Sequence, residues 1–446
     1  MITAMSNALS SFVSRYLPDP LIFAVLLNFI VFVCAVMYTP HQPMELIGMW
    51  GDGFWNLLAF SMQMAMIVVT GNVLASSKPV KRLLSTIAEW AKTPAEGVAL
   101  VTFAGTIACY INWGFGLIVG AMLAKEVARK HPTSNYGLLI ASAYIAFMIW
   151  GSGLSGSMPL QAATPGNPMA HLMVTPDNPL GIVPVSETLF APFNLFVCAA
   201  LLISLPLITR AMAKSEVTVH VNPELLAPEP DFHRELPPNA SWAERMEESK
   251  VLNYLLVLMG VIYLAQYFYT KGFALTINTV NLVFLIVGLA LHGSLMAYAR
   301  AAAHAVKSTI GILIQFPFYA GIQILMEDSG LGGYLTEAFV SIATPETFPV
   351  LTFISSGLIN FAVPSGGGHW VVQGPFIIPA SQEIGADMAK SVMAIAYGDQ
   401  WMNMAQPFWA LPALGIAGLG VRDIMGYCLT ALILTGPIFV IGLYLF

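Results

Sequence analysis

Apolar residues along this chain fall into long runs that shorter polar segments separate. Residues 21–38, 251–267 and 427–446 hold three of these runs. Each reaches the roughly 17–25 residues that a helix needs to cross a hydrocarbon layer about 30 Å thick. The pattern predicts an all-α polytopic membrane protein with about nine full spans and two further hairpins. No cleavable signal peptide is expected, because residues 1–18 are polar and mixed.

Composition agrees with this pattern. Of the 446 residues, 57% are hydrophobic and only 9% are charged, whereas a soluble domain carries about 25% charged residues. The four cysteines lie scattered in apolar segments, which predicts neither a disulfide framework nor a metal cluster. The chain has no basic block with interleaved aromatic residues, so we expect no nucleic-acid partner. The partner that the composition does imply is the lipid bilayer.

The positions of lysine and arginine predict the orientation of the chain, because loops that stay in the cytoplasm hold the positive charges. Arg15 precedes the first span, and basic residues follow the second, which places the N-terminus in the cytoplasm. Residues 41–52 and 327–346 are then outer loops. Residues 96–123 have basic residues on both sides and are too short for two full crossings, so they predict a re-entrant hairpin. Residues 348–380 predict a second hairpin that enters from outside.

The two halves of the chain share short stretches of sequence at a nearly constant offset. Gly151 and Pro159 correspond to Gly398 and Pro407, and three dipeptides recur in the same order: Thr93-Pro94 as Thr344-Pro345, Thr102-Phe103 as Thr352-Phe353, and Ile111-Asn112 as Ile359-Asn360. This order predicts a first repeat over residues 1–209, a cytoplasmic linker over 210–250, a connecting span over 251–269 and an inverted second repeat over 270–446. Inverted repeats underlie many alternating-access carriers. The sequence therefore predicts a secondary transporter rather than an enzyme.

Carriers of this construction bind substrate and coupling ions where helices break near the middle of the membrane. Four segments are interrupted here, at residues 112–116, 151–157, 360–369 and 398–407. Within them we predict these substrate-binding residues: Asn112, Gly114, Gly116, Ser155, Ser157, Asn360, Ser365, Gly366, Gly367, Gly368, His369, Gln400 and Asn403. A hydroxyl with free amides at a helix N-terminus is typical of an anion site, which favours Ser365 and its glycines. For residues 151–157 close helix packing is an equally good explanation.

Asp399 and His369 are the predicted site of a coupling ion or proton. Asp399 is the only carboxylate in residues 393–419, and an unpaired charge inside a membrane costs at least about 2.5–3.5 kcal/mol. The alternatives are that Asp399 caps a broken helix and that His369 is an interfacial histidine bound to its own loop. We expect no cofactor and no metal site. H⁺ and Na⁺ both stay open as coupling ions.

The interrupted segments also constrain the substrate. None of them contains arginine or lysine, so a substrate carboxylate would be held by amides and hydroxyls, which suits one carboxylate better than two. Aromatic residues crowd the same segments and would either line a small apolar pocket for a short acyl tail or pack as ordinary core residues. They are Trp113, Phe115, Phe361, Trp370, Trp401, Phe408 and Trp409.

Six longer motifs stand out along the chain: Pro18-Asp-Pro-Leu-Ile-Phe23, Met49-Trp-Gly-Asp-Gly-Phe-Trp-Asn-Leu-Leu-Ala-Phe60, Ile111-Asn-Trp-Gly-Phe-Gly116, Ala163-Thr-Pro-Gly-Asn-Pro168, Phe361-Ala-Val-Pro-Ser-Gly-Gly-Gly-His-Trp370 and Ala396-Tyr-Gly-Asp-Gln-Trp-Met-Asn-Met-Ala-Gln-Pro-Phe-Trp409. In these motifs the chain resembles the bacterial short-chain fatty acid transporter family, AtoE type, in the ion-transporter superfamily. The resemblance covers essentially the whole chain. It implies uptake of acetoacetate, butyrate and similar acids across the bacterial inner membrane by a multi-pass carrier, and it allows a homodimer. Better-studied superfamily members have Ser-Asn-Thr hairpin tips, which this chain lacks, so sodium coupling does not carry over.

Three other functions compete with this interpretation. A C4-dicarboxylate carrier of the same superfamily is the runner-up, and a passive channel is another kind of transport protein. The third is an intramembrane serine protease, because Gly153-Leu-Ser-Gly156 matches a nucleophile loop. A serine nucleophile needs a base within hydrogen-bond reach, and the candidate base, His369, lies in the opposite repeat. The protease is therefore the most remote of the alternatives.

Overall fold

The protein is built from helices, as the apolar runs predict. The computed structural model describes residues 20–176, 178–213, 226, 231–272, 275–360, 363, 366–406, 408–410, 413–414 and 417–445. Within these ranges the β structure consists of one isolated bridge, between Thr175 and Asn178. The predicted all-α polytopic fold is confirmed.

The first half of the chain contains one helical hairpin and one interrupted helix among longer continuous helices. In chain order its helices are α1 (Pro20–Tyr38), α2 (Pro43–Gly53), α3 (Leu58–Ala75), α4 (Lys78–Ala88), α5 (Pro94–Ile111), α6 (Trp113–Lys130), α7 (Tyr136–Ile145), a 3₁₀ helix (Ala146–Ser152), α8 (Ser157–Ala162), α9 (Ala170–Met173) and α10 (Pro192–Met212).

The second half repeats the hairpin and the interrupted helix after a short linker. Its helices are α11 (Trp242–Glu247), α12 (Lys250–Lys271), α13 (Ile277–His292), α14 (Leu295–Ala305), α15 (Ile310–Asp328), α16 (Leu331–Ile342), α17 (Phe348–Asn360), α18 (Gly366–Ile384), α19 (Met388–Met402) and α20 (Met425–Leu445), with short 3₁₀ turns at Val306–Thr309, Phe408–Ala410 and Val421–Asp423.

Burial separates the centre of the protein from its lipid-facing surface. Six helical segments in the described ranges are long and apolar enough to cross a membrane. Among them the interrupted segment Tyr136–Ala162 is 94% buried by other parts of the protein, whereas Trp242–Lys271 is 11% buried. A segment whose apolar surface is exposed on most sides requires lipid around it. The chain is therefore a multi-pass membrane protein with its interrupted helix at the core and α12 at the periphery.

The first hairpin reverses at a single residue. Asn112 ends α5 and begins α6, and its side-chain oxygen accepts the Phe115 amide hydrogen at 2.9 Å. The end of α6 lies beside the segment that leads into α5, because Lys130 Nζ is 3.1 Å from a Glu89 carboxylate oxygen and His131 Nε2 is 2.9 Å from the Ala91 carbonyl oxygen. Both ends therefore lie on one side of the protein. The arms run from Pro94 to Lys130, so the predicted range of 96–123 was too short. Re-entry into the membrane stays a prediction.

The second hairpin and the two broken helices also form where the sequence indicated. Helices α17 and α18 make the hairpin, with residues 361, 362, 364 and 365 of its tip outside the described residues. The first broken helix loses regular hydrogen bonding between Ser152 and Ser157, and the second ends at Met402 in a turn. All four predicted interruptions in the helices therefore exist.

Two predicted outer loops turned out to be largely helical. Residues 41–52 include most of α2, and residues 327–346 contain α16. In α2 the Glu45 carboxylate accepts the backbone hydrogen of Gln42 at 3.1 Å, and Pro43 occupies the first helical turn. These are ordinary helix-start signals. They were missed because helices of 11 and 12 residues are too short to register as membrane-spanning apolar runs.

The described part of the linker contacts both halves of the protein. Lys78 of α4 forms an ion pair with Asp231 at 2.9 Å, and Arg300 of α14 donates to the Phe232 carbonyl oxygen at 2.8 Å. The hydrogen bond from Lys78, together with the one from the His233 amide, holds the pKa of the Asp231 carboxyl well below its usual range. Asp231 is therefore ionised at neutral pH. The linker's position on the cytoplasmic side stays a prediction.

Single cysteines at the hairpin ends will test the predicted topology. In a cysteine-free background, residues introduced at Lys92 and Lys130 should react with a membrane-impermeant maleimide only from the cytoplasm. Residues introduced at Glu346 and Glu383 should react only from outside. Opposite labelling of Lys92 and Lys130 would contradict the paired hairpin ends, and labelling of all four from one side would remove the inverted arrangement.

The linker contact predicts that Asp231→Asn increases cleavage of the linker by trypsin at Arg234 and Arg245. The variant loses an ion pair that is largely exposed, so we expect cleavage to become roughly two- to five-fold faster. The matched control is Glu235→Gln, which alters another carboxylate of the same segment and should leave the rate unchanged. Equal rates for wild type and Asp231→Asn would show that the ion pair does not hold the linker.

Candidate functional site

The tip of the first hairpin is joined to the first broken helix by backbone hydrogen bonds. The Trp113 amide donates to Ser155 Oγ at 2.9 Å, and the Leu154 amide donates to the Tyr110 carbonyl oxygen at 2.7 Å. Amide and carbonyl groups freed by a helix break inside a membrane need such partners. Ser155 and Asn112 thus both present oxygen atoms to the first turn of α6. Of their polar atoms, Asn112 Nδ2 is buried without a hydrogen-bond partner among the described residues.

A directional chain of hydrogen bonds ends on Asp399. Trp150 Nε1 donates to Asn403 Oδ1 at 2.8 Å, Asn403 Nδ2 donates to Asn360 Oδ1 at 3.4 Å, and Asn360 Nδ2 donates to Asp399 Oδ1. An indole N–H can only donate, so Trp150 fixes the orientation of both amides. All of these side chains are buried. The chain points positive amide hydrogens at the carboxylate and turns amide oxygens away from it.

His369 lies on the other side of the same carboxylate. Its Nδ1 is 3.8 Å from Asp399 Oδ1, and its Nε2 is 2.7 Å from Gln373 Oε1 and 3.1 Å from Ser356 Oγ. The Ser356 hydroxyl donates to the Ile395 carbonyl oxygen at 2.6 Å. Both partners of Nε2 therefore act as acceptors, so Nε2 carries a hydrogen. In the neutral ring Nδ1 then faces Asp399 with a lone pair, and a proton between the two groups would complete the contact.

Gln400 and Ser152 connect the two broken helices to each other. Gln400 Nε2 donates to Ser152 Oγ at 2.7 Å, and Asn194 Nδ2 donates to the Ser152 carbonyl oxygen at 3.0 Å. Asn194 in turn accepts the Tyr397 hydroxyl at 2.9 Å. Gln400 follows Asp399 directly in α19, but successive helical residues point about 100° apart. Its side chain consequently faces Ser152 rather than the Asn360 amide.

A small cavity lies between the first broken helix and the start of α18. Its lining residues are Met64, Trp113, Phe147, Trp150, Ser157, Gly366, Gly367 and Trp409. The cavity volume is about 10 Å³, which is room for about one water molecule. Trp113 Nε1, a donor, is buried here without a partner among the described residues. A short carboxylic acid would fit only after the walls move apart.

Three aromatic rings explain the three glycines at the start of α18. A Cβ atom at Gly366 would overlap the Trp150 ring, one at Gly367 would overlap Phe60, and one at Gly368 would meet Tyr319 Cδ2 at 2.5 Å. The same Cβ at Gly366 would lie 3.3 Å from Asp399 Oδ2. The first turn of α18 therefore lines the cavity and also lies close to the Asp399 carboxylate. The predicted anion-site residue Ser365 lies outside the described residues.

The other predicted residues take up different positions. Gly114 packs against the Ile67 carbonyl oxygen of α3, and Gly116 packs against Cys109 of the facing hairpin arm, where any side chain would collide. Of the aromatic residues, Trp113 and Trp409 line the cavity. Trp401 instead packs on Phe353 and donates to the Leu432 carbonyl oxygen. Phe361 lies outside the described residues.

Sequence reasoning missed several residues of the network. Ser356, Gln373, Ser152 and Tyr144 all bond to predicted site residues. The sequence itself could have indicated Ser356 and Gln373. Ser356 precedes Asn360 by four residues, and Gln373 follows His369 by four residues, which is about one helical turn in each case. Residues four apart share a helix face.

The hydrogen-bond chain predicts a stability cost for Trp150→Phe. The variant keeps an aromatic ring but leaves Asn403 Oδ1 buried without its donor, which should lower the free energy of unfolding by about 1–3 kcal/mol. Denaturant unfolding of the purified protein measures this change. Trp90→Phe, at an exposed tryptophan, is the matched control. Equal loss in both variants would show that the cost does not come from the hydrogen bond between Trp150 and Asn403.

Comparisons with known proteins place the chain among transporters. The family model described as short chain fatty acid transporter matches residues 1–446. A Haemophilus influenzae protein is 64% identical over 445 residues, and an Escherichia coli protein is 62% identical over 447 residues. Each alignment covers 100% of this chain and 100% of the relative. Both bear names that assign them provisionally to short-chain fatty acid transport.

Two solved structures share the fold at low sequence identity. The Alcanivorax borkumensis YdaH transporter has a TM-score of 0.56 at 19% identity, with 95% of this chain and 98% of that chain covered. Neisseria gonorrhoeae MtrF, from a class described as antimetabolite efflux pumps, has a TM-score of 0.53 at 13% identity, with 97% and 96% covered. At such identities the likeness concerns the fold alone.

Proposed function

The chain belongs to the short chain fatty acid transporter family, which makes it a transporter rather than an enzyme, and we propose that it takes up short-chain monocarboxylates such as acetoacetate and butyrate across the bacterial inner membrane. The proposed mechanism is cation-coupled symport by alternating access, with a proton as the coupling ion.

We place the substrate carboxylate at the first turn of α18. The Gly366 and Gly367 amides lie at a helix N-terminus, where backbone hydrogens and the helix dipole favour an anion. Trp113 lines the same cavity, and its Nε1 is buried with no partner among the described residues, so it can donate to one carboxylate oxygen. None of the residues that line the cavity is basic. This donor set suits one carboxylate, and a second carboxylate would find no cation there.

The contact between Asp399 and the first turn of α18 is the observation that carries the coupling proposal. Two unit charges about 4 Å apart repel by roughly 4 kcal/mol at the effective dielectric constant of a protein. An ionised Asp399 would therefore weaken binding of a carboxylate at Gly366 by about a thousandfold. Neutralising Asp399 removes this repulsion. Substrate binding and neutralisation of Asp399 are thereby linked, as symport requires.

The orientation of the amides favours a proton over sodium. A sodium ion beside Asp399 would need further oxygen ligands, yet the Asn360 and Asn403 side-chain oxygens already accept hydrogen bonds from Asn403 and Trp150. A proton needs only Asp399 and His369 Nδ1, which lie 3.8 Å apart.

Uptake into proteoliposomes tests the substrate and the ion separately. We expect labelled butyrate to accumulate when the outside is acidic and the inward sodium gradient is absent. A sodium gradient at equal pH should give no accumulation. Because butyric acid also crosses bilayers unaided, protein-free liposomes are the control, and saturable uptake above that background is required. Accumulation driven by sodium alone would reject the proton, and competition by succinate as strong as by acetoacetate would favour a dicarboxylate carrier.

The coupling role of Asp399 predicts a specific pattern for Asp399→Asn. This variant keeps the shape of the side chain but cannot change charge, so accumulation against a gradient should be lost while exchange of labelled for unlabelled butyrate continues. Asp387→Asn, at the cap of the same helix, is the matched control and should accumulate butyrate normally, since asparagine also caps helices. If Asp399→Asn accumulates butyrate as wild type does, Asp399 is a structural cap and the coupling proposal fails.

A further inference from the structure

Three aromatic rings form a column, and two of them, Phe147 and Trp150, line the cavity. The rings of Tyr144 and Phe147 have centroids 5.9 Å apart and planes 15° apart, and those of Phe147 and Trp150 have centroids 5.5 Å apart and planes 12° apart. Phe147 and Trp150 lie in the 3₁₀ helix Ala146–Ser152, in which side chains three residues apart eclipse. The 3₁₀ geometry therefore places Phe147 and Trp150 on one face, with their rings nearly parallel and laterally offset.

The two ends of the column are fixed to the same residue. The Tyr144 hydroxyl donates to the Asn403 carbonyl oxygen at 2.9 Å, and Trp150 Nε1 donates to Asn403 Oδ1 at 2.8 Å. Phe147 is held between them and meets the Trp113 ring at a steep angle, with centroids 6.3 Å apart. Anchored at both ends and packed in the middle, the column cannot shift without breaking two buried hydrogen bonds.

The opposite wall is more adaptable. Met64 of α3 lines the same cavity, and a methionine side chain is unbranched and can take several shapes at low cost. When a substrate enters, the space of about 10 Å³ must enlarge. Met64 can yield, whereas the aromatic column stays in place. The column consequently sets the limit of the space available to an acyl tail.

We propose that Phe147 determines the maximum acyl length that the transporter accepts. The inference rests on the proposed function, which places the substrate carboxylate at Gly366 and Gly367. The acyl tail must then extend toward the remaining walls, formed by Met64, Trp113 and Phe147. A tail that reaches the middle ring of the column can extend no further, which restricts the substrate to short acids.

Shortening Phe147 tests this inference through a change in chain-length preference. In Phe147→Ala the preference for hexanoate relative to butyrate should rise roughly tenfold over wild type, because the new space admits two further methylene groups. The measurement is the concentration of each acid that halves proton-driven uptake of labelled butyrate in proteoliposomes. Phe147→Leu, which opens less space and disturbs packing less, should shift the ratio in the same direction by about threefold.

A matched substitution separates this effect from a general loosening of the core. Phe439→Leu alters a buried ring that stacks on Phe353 with centroids 5.6 Å apart, outside the residues that line the cavity. It should leave the hexanoate-to-butyrate ratio unchanged. If Phe147→Ala fails to fold, Phe147→Leu decides. A wild-type ratio in the folded Phe147 variants, with butyrate uptake intact, overturns the inference but not the proposed function, whereas a wild-type protein that takes up no short acid overturns both.

Discussion

Helix breaks within the membrane control the rest of this structure. Each break frees amide and carbonyl groups, and leaving one of them unpaired in hydrocarbon costs several kcal/mol. Water cannot pair them inside a packed core, so other segments of the protein must. The first hairpin tip and the first broken helix pair with each other through Trp113, Ser155, Leu154 and Tyr110. These contacts place polar groups and helix ends together at one buried position, which is the requirement for a transport site.

The repeats differ chemically although their architecture is shared. The correspondence of Gly151 with Gly398 places Ser152 opposite Asp399 in the two broken helices. Ser152 holds neutral partners, Gln400 and Asn194, while Asp399 is held by Asn360 and His369. A repeat pair with one hydroxyl and one carboxylate has one site that can change its charge. This asymmetry is why we propose a single coupling position in a scaffold of two similar halves.

Sequence patterns predicted the helix breaks because a break requires particular residues, such as Asn112 with its local cap and the glycines that open α18. They also brought Asn360, Asp399 and Asn403 into one group, since two of these residues share a helix and the third follows from the repeat. They could not predict Trp150 or Tyr144 as partners of Asn403, because such contacts depend on how separate helices pack. The short helices α2 and α16 were missed for a different reason, as neither needs a long apolar run to form.

A transport site must combine fixed parts with parts that move, and the structure divides these roles between its walls. The hydrogen-bond chain from Trp150 to Asp399 and the aromatic column share two residues, Trp150 and Asn403. The hydrogen bonds that reach Asp399 and the aromatic column are therefore parts of one rigid unit. Met64 and Phe60 of α3 approach that unit from another helix through side-chain packing. Enlarging the cavity by displacing α3 would therefore leave the hydrogen-bond chain and the aromatic column intact, so the cavity can grow without disturbing the buried contacts of Asp399.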